Sequence, residues 1–343
     1  MSKENDLISY EMWLSWHKIN GDLISGPAPF RPNFDPEKHA GYKDDLEPRP
    51  KVYRHRRHHL HKMLTDQVER AGLTVEYGKK VLRYEEDTEH DKASVVLENG
   101  EKIEADVIVA ADGIGNKEHR LTDHTHQNRG TSEESWSNVV SPEEVLQTTS
   151  SIDGWPELAN RLIRNTRKDQ IHNFKLMWRD PQPCWVSPGG RVVQVGDAAH
   201  TFLPSSGHGA TQGMEDAVSL ATCLRMAGKE NIPWATRVHN KLRFERVSIL
   251  QLLGVLNQQL RNKTAHADES QTKPIGILGS WIWRHDPEAY ARENFFQAWA
   301  ALRDDGGQGF ENTNIPPGYT YQAWSIDEIL AGKKRMEMEG DWD

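Results

Sequence analysis

Only two cysteines, Cys184 and Cys223, occur in 343 residues. So few thiols, so far apart, make neither a disulfide scaffold nor a zinc cluster, and they read as reduced thiols of an intracellular, cytoplasmic protein. No run approaches the roughly 20 apolar residues that cross a bilayer. The stretch "IGILGSWIW" (275–283) is apolar but too short, and it reads as core or interface. The opening "MSKENDLISYEMWLSW" lacks the basic start and apolar centre of a secretory signal. Basic residues are outnumbered 42 to 51, for a net charge of -9, which argues against general nucleic-acid binding. The pattern Gly-x-Gly-x-x-Gly is absent, and there is no internal repeat or low-complexity tract.

What is present points to a packed protein. Twelve tryptophans are hard to accommodate without a core, and the length suits one large domain or two ordinary ones. Residues 1–50 are rich in Pro, Gly, Asp and Lys, and "NGDLISGPAPFRPNF" reads as turns. Leu60, Leu64 and Val68 recur every four residues and predict a helix over 56–71, stopped by Gly72. "LTVEYG", "KKVLRYEED" and "KASVVLENG" read as strands, with Asn99-Gly100 as a hairpin signal. "VIVAA" (107–111) is a continuous apolar run, expected of a strand covered on both faces. Residues 115–180 are polar and irregular; "HTHQNRGTSEESWSN" reads as an exposed loop and "GWPELANRLIRNT" as a short helix. "RVVQVG" (191–196) reads as a second buried strand, 214–226 and 234–261 as helices, and 311–324 as extended and turn-rich.

The least ordinary stretch is "VVQVGDAAHTFLPSSGHGATQGMEDAVSLATCL" (192–224). An apolar run stops at Gly196-Asp197, a loop with Pro204, Gly207, Gly209 and Gly213 follows, and a helical pattern starts at about Met214. The first N–H groups of a helix have no internal partner and carry about half a positive charge. Glycines let a ligand reach those groups, so the loop suits an anion or an electron-rich carbonyl. Asp197 can accept hydrogen bonds from hydroxyls. The same features also fit a plain strand-to-helix connection in which the acid serves the helix start.

The run "GDAAH", Pro204, "GHGATQGMEDA" and Leu220 resembles the second flavin-binding motif of FAD-dependent aromatic hydroxylases, the class A flavoprotein monooxygenases that include salicylate-hydroxylase-like enzymes. "VIVAADGIGNKEHR" (107–120) resembles their Asp-Gly motif through Ala111, Asp112 and Gly113, with Asn116 where Ser is usual. "YRHRRHHLHKML" (53–64) resembles their Arg-x-Asp-Leu helix start, with Arg57 as the arginine and His59 in place of the acid. "RHDPEAYA" and "NTNIPPGY" look like fungal members.

This resemblance implies an α/β fold: part of a glutathione-reductase-like FAD-binding domain with a reduced substrate-domain portion. The segments expected are an irregular, partly substrate-domain-like 1–55, FAD-domain parts at 56–120 and 191–265, a reduced substrate-domain or linker portion at 121–190, and a helical and extended tail at 266–343. It implies FAD as cofactor, held by Arg57, Asp112, Asp197, Gly207, Gly209 and Ala210. It implies NAD(P)H and O2 as co-reactants and a small aromatic or polyketide-type substrate, as in fungal secondary metabolism. The missing glycine fingerprint would ordinarily hold the ADP half of FAD, and its absence leaves a non-catalytic relative or accessory protein as the alternative. No catalytic base is identified, and the Asp112-to-Asp197 interval is short for the family.

His55, His58 and His59 share one helix face and His61 lies nearby, but Arg54, Arg56 and Arg57 surround them and disfavour a cation. A solvated basic face, or contact with phosphates, suits that cluster better than a metal. His200 reads as structural, and Trp281 and Trp283 as packing residues.

Overall fold

The computed structural model describes residues 13–18, 20–29, 55–113, 138–174, 179–264, 279–304, 309–333, 336 and 339–342. Near the start, β1 (Trp13–His17) and β2 (Leu23–Pro29) pair antiparallel. The turn reading of "NGDLISGPAPFRPNF" is therefore corrected over 23–29. Pro27 lies in a two-stranded sheet, where a strand edge tolerates its missing N–H.

Helix α1 (Arg57–Arg70) matches the helix expected, and Gly72 follows it at φ +72. "LTVEYG" is not a strand. Its apolar residues alternate, but Leu73, Val75 and Tyr77 are 64%, 45% and 73% exposed, and among the described residues no strand pairs with them. Next, β3 (Val81–Asp87), β4 (Lys92–Leu97) and β5 (Lys102–Ala105) form an antiparallel meander. The turn between the last two is the one the sequence signals. Gly100 takes φ +83, and the Asn99 side chain accepts from the Glu101 amide at 3.0 Å.

Strand β6 (Ile108–Ala110) pairs in parallel with β7 (Val192–Gln194), in the register Ile108↔Val192, Val109↔Val193 and Ala110↔Gln194. Between them lie α2 (Pro142–Thr149) and α3 (Glu157–Asn165). A reciprocal capping box of Ser141 and Glu144 starts α2. Ile108, Ala110 and Val192 pack with Tyr84 and Ala93 on one side of the pair, while Val193 and Val195 pack with Val186 and Leu220 on the other. β7 is buried throughout, as expected. β6 departs from the expectation of two covered faces: Val109 is 45% exposed, because its side of the sheet is only partly roofed by the helix that follows β7.

That helix, α4 (Gly209–Ala227), packs on α5 (Ile232–Thr264) and α7 (Pro287–Arg303), while the single-turn α6 (Ser280–Trp283) precedes α7 and α8 (Ile326–Leu330) closes the tail. Cys223 of α4, Val238 and Leu242 of α5, and Phe295 and Ala298 of α7 make one core cluster. A second gathers Trp185 and Phe202 around Val247, Leu250 and Leu253 of α5, together with Trp281, Tyr319 and Trp342. Trp281 is thus a packing residue. α4 begins five residues before the start read from the sequence. Its first turn has no apolar period: Gln212 is fully buried and Gly213 lies against Gly196, so apolar spacing emerges only from Met214. Both cysteines are free, Cys184 exposed and Cys223 buried. Among the described residues no helix is long and apolar enough to cross a membrane.

Candidate functional site

Parallel pairing puts the carboxyl ends of β6 and β7 on one edge, and Asp112 and Asp197 both follow those ends. Such edges are where open α/β sheets bind ligands. After β7 the chain turns at Gly196, φ +58, into a short helical turn over Gly196–Ala198 that presents the Asp197 side chain to solvent. His200, Thr201, Phe202 and Leu203 then go inward. A second short turn, Pro204–Ser206, ends at Gly207 in the left-handed conformation, φ +72, with open space where a Cβ would stand.

His208 precedes α4 without capping it, and no acidic residue lies in the helix's first turn. The leading amides of α4 therefore keep both their unused donors and the positive end of the helix dipole. Gly207 and Ala210 are exposed and Gly209 is half-buried, so those donors are approachable. Beneath them Gly213 lies against Gly196, close enough that a Cβ on Gly213 would make an ordinary contact, 3.6 Å from the Gly196 Cα.

Asp197 reaches solvent, yet the protein crowds it. Loss of hydration raises its pKa from the ordinary aspartate value, opposed by the charges of His200, Arg57 and Arg179. Arg57, the first residue of α1, is thus brought into the field of Asp197 although 140 positions separate them in the sequence. Asp112 is exposed and accepts a hydrogen bond from Tyr84 Oη at 3.1 Å. The residues singled out in the sequence therefore lie at the ends of β6, β7 and two helices. Among the described residues, no group of three or more His, Cys, Asp or Glu is arranged to hold a metal ion; His58 and His59 instead contact each other edge to face.

Under the loop lies a charged cluster that sequence reasoning did not identify. Asp216 is fully buried; its Oδ2 accepts from the Gly196 amide at 2.9 Å and lies 2.5 Å from His200 Nε2, while Oδ1 accepts from Arg243 Nε at 2.9 Å. Arg243 also donates to Glu215 Oε2 at 2.6 Å and to Gln212 Oε1 at 2.7 Å. Arg246 grips both Glu215 oxygens, at 3.0 and 3.2 Å, and donates to the carbonyls of Trp281, Ile282 and Asn314, each at 3.0 Å. Burial alone would raise both carboxyls. The guanidiniums of Arg246 and Arg243 instead hold Glu215 at about 2, and His200 with Arg243 holds Asp216 well below the usual range. One signal was legible: an acid pair inside "GMEDA" and two arginines three apart, Arg243 and Arg246, among the apolar residues of α5.

Burial also keeps two histidines neutral, His239 with its pKa pushed down to about 4 and His285 to about 3. In the unfolded chain both titrate near 6.5, so as pH falls below that value the unfolded state gains protons that the native state refuses. Stability is therefore expected to decline from about pH 6.5 downward, and to decline further below about 4.5 as Glu215 is forced to protonate. Urea midpoints measured across this range check it. His239→Gln should flatten the upper part of the decline, and a wild-type midpoint constant down to about pH 4.5 would contradict the assignment.

The arrangement is that of a nucleotide-type ligand site: an acid at a strand end, an αL glycine and an open helix start on the carboxyl edge of a parallel pair. The FAD binding domain family model matches the chain in two stretches, residues 15–150 and 116–233. The chain is 37% identical to "FAD-dependent monooxygenase fsr3" of Gibberella fujikuroi over 415 aligned positions, covering 100% of this chain and 78% of the relative. In structure it is similar to FqzB, with a TM-score of 0.71 at 23% identity over 92% of this chain and 82% of that one. It is also similar to CtdE solved with FAD and a substrate, with a TM-score of 0.67 at 22% identity over 89% and 85% of the two chains. The protein belongs to the FAD-binding-domain family of flavoprotein monooxygenases. Its alignment with the Gibberella relative is longer than its own 343 residues, so that relative carries positions with no counterpart here.

Proposed function

We propose that the protein is an FAD-dependent monooxygenase that uses NAD(P)H and O2 to hydroxylate a small aromatic or polyketide-type molecule, in fungal secondary metabolism and in the cytoplasm. The observation that carries this reading is the uncapped start of α4 behind the αL Gly207, with the exposed Asp197 carboxylate beside it. These residues fit FAD. The open space over Gly207 admits a flat ring edge, and the leading amides of α4, those of Gly209 and Ala210, would face the carbonyl and ring nitrogen that gain negative charge on two-electron reduction. Asp197 accepts from the hydroxyls of the ribityl chain. Arg57 supplies positive charge to the same edge, and Tyr84 steadies Asp112 for a further polar contact. FAD, once bound, supplies the electron transfer and oxygen activation; this chain's own residues bind it, orient it and stabilise its charge. The curated relative named a FAD-dependent monooxygenase supports the same reading.

One observation favours a second reading, a non-catalytic flavoprotein relative or accessory protein: the chain has no Gly-x-Gly-x-x-Gly for the pyrophosphate. Purified protein separates the two. The enzyme is expected to retain FAD, with absorbance near about 450 nm, and to consume NADH or NADPH in the presence of O2. Colourless protein that also fails to hold added FAD would establish the second reading instead.

A further inference from the structure

We infer that Asp216, held by Arg243, is a positioning residue that fixes the Gly196-Asp197 turn against the start of α4. The inference rests on the FAD reading above and extends it to two residues that would not touch the cofactor. The turn and the helix start are separate pieces of backbone, joined by a loop with one further short turn and an αL glycine. A ligand that uses the Asp197 carboxylate and the α4 amides together needs a fixed distance between them.

Two contacts set that distance. The first is steric: Gly196 and Gly213 face each other, so the helix approaches the turn backbone to backbone. The second is polar. Asp216 is the residue of α4 whose carboxylate reaches back to the turn and accepts the Gly196 amide at 2.9 Å. Its second oxygen is committed to Arg243 Nε at 2.9 Å. Arg243 in turn donates to Gln212 and Glu215, so one guanidinium clamps three residues in the opening turns of α4. His200, four residues after Gly196, closes the set on Asp216 at 2.5 Å.

This carboxylate is fully buried behind the turn while Asp197 points outward. The turn and the helix thus divide the work: the acid on the turn faces the ligand, and the acid on α4 holds the backbone that carries it. Asparagine at position 216 keeps the shape, but its amide nitrogen would face one of the three donors now satisfied.

The test compares FAD titrations of wild type, Asp216→Asn, Arg243→Lys and Phe295→Ala. The last truncates a buried residue of the α7 core, away from the loop, and controls for lost stability alone. All titrations are run well below each protein's thermal midpoint. Asp216→Asn and Arg243→Lys are each expected to weaken FAD binding about tenfold or more, with Phe295→Ala within about threefold of wild type. At saturating FAD the visible circular dichroism of the bound flavin should change in the first two and overlay wild type in the third. Affinity and dichroism unchanged in Asp216→Asn would overturn the inference, as would an equal loss in Phe295→Ala. Failure of both loop variants to fold, with Phe295→Ala folded, would reduce the pair to a stabilising ion pair and also overturn it. Wild type that binds no FAD would instead defeat the functional reading itself.

Discussion

Asp197→Ala is expected to weaken FAD binding roughly 10- to 100-fold, the loss of one or two charge-assisted hydrogen bonds at about 1.5–3 kcal/mol. The fold should be spared, because the side chain is exposed and its hydrogen bond within the protein is to the neighbouring Phe202 amide. Flavin fluorescence titration and a thermal melt together make the measurement: affinity drops while the midpoint stays near wild type. The raised pKa of Asp197 adds a second signature. The ionised carboxylate is the stronger acceptor for hydroxyls, so wild-type affinity should fall on acidification as Asp197, its pKa raised by burial, takes up a proton. The alanine variant should lack that dependence. Equal affinities of the two proteins would remove Asp197 from the site.

Arg246→Ala is expected to cost about 3–5 kcal/mol of stability, read as a large fall in the urea midpoint. Arg246 is fully buried, and its removal takes two charge-assisted bonds from the buried Glu215 carboxylate and one from each of three backbone carbonyls, those of Trp281, Ile282 and Asn314. It also empties the space over the Trp281 ring, where the guanidinium now sits 5.3 Å from the centroid. Arg243 keeps its bond to Glu215 Oε2 at 2.6 Å, but both bonds from Arg246 to the same carboxylate are lost. A loss below about 1 kcal/mol would mean that the cluster relaxes with water in a way its burial does not suggest.

The parts of the fold legible in the sequence were those whose signals are local. Leu60, Leu64 and Val68 gave α1 its span, and Asn99-Gly100 gave the turn between β4 and β5. Gly196-Asp197 and the glycines after it marked a strand end, a loop and a helix start in the right order. What the sequence hid was set by partners distant along the chain. "LTVEYG" has the alternation of a strand, but pairing needs a neighbour, and none of the described strands lies beside it. "VIVAA" has the composition of a doubly covered strand, but coverage depends on what packs above Val109. The start of α4 was read late because its first turn is chosen for donors and close approach and not for an apolar stripe. The buried acids in "GMEDA" looked like an ordinary charged helix segment until Arg243 and Arg246 came to face them across 27 to 31 positions of sequence.

Helix α5, 33 residues long, runs about 50 Å. Three of the five core clusters draw on it: Val238 and Leu242, then Val247 and Leu250, then Leu252 and Val255. During synthesis, the upstream members of those three clusters leave the ribosome before the surface they pack against. Trp185, Phe202 and Leu203 wait for that rod, and Trp185 and Phe202 wait further for Tyr319 and Trp342 near the very end. Those three clusters therefore close only after α5 has emerged, whereas the two that hold the β6–β7 pair have all their members upstream of it.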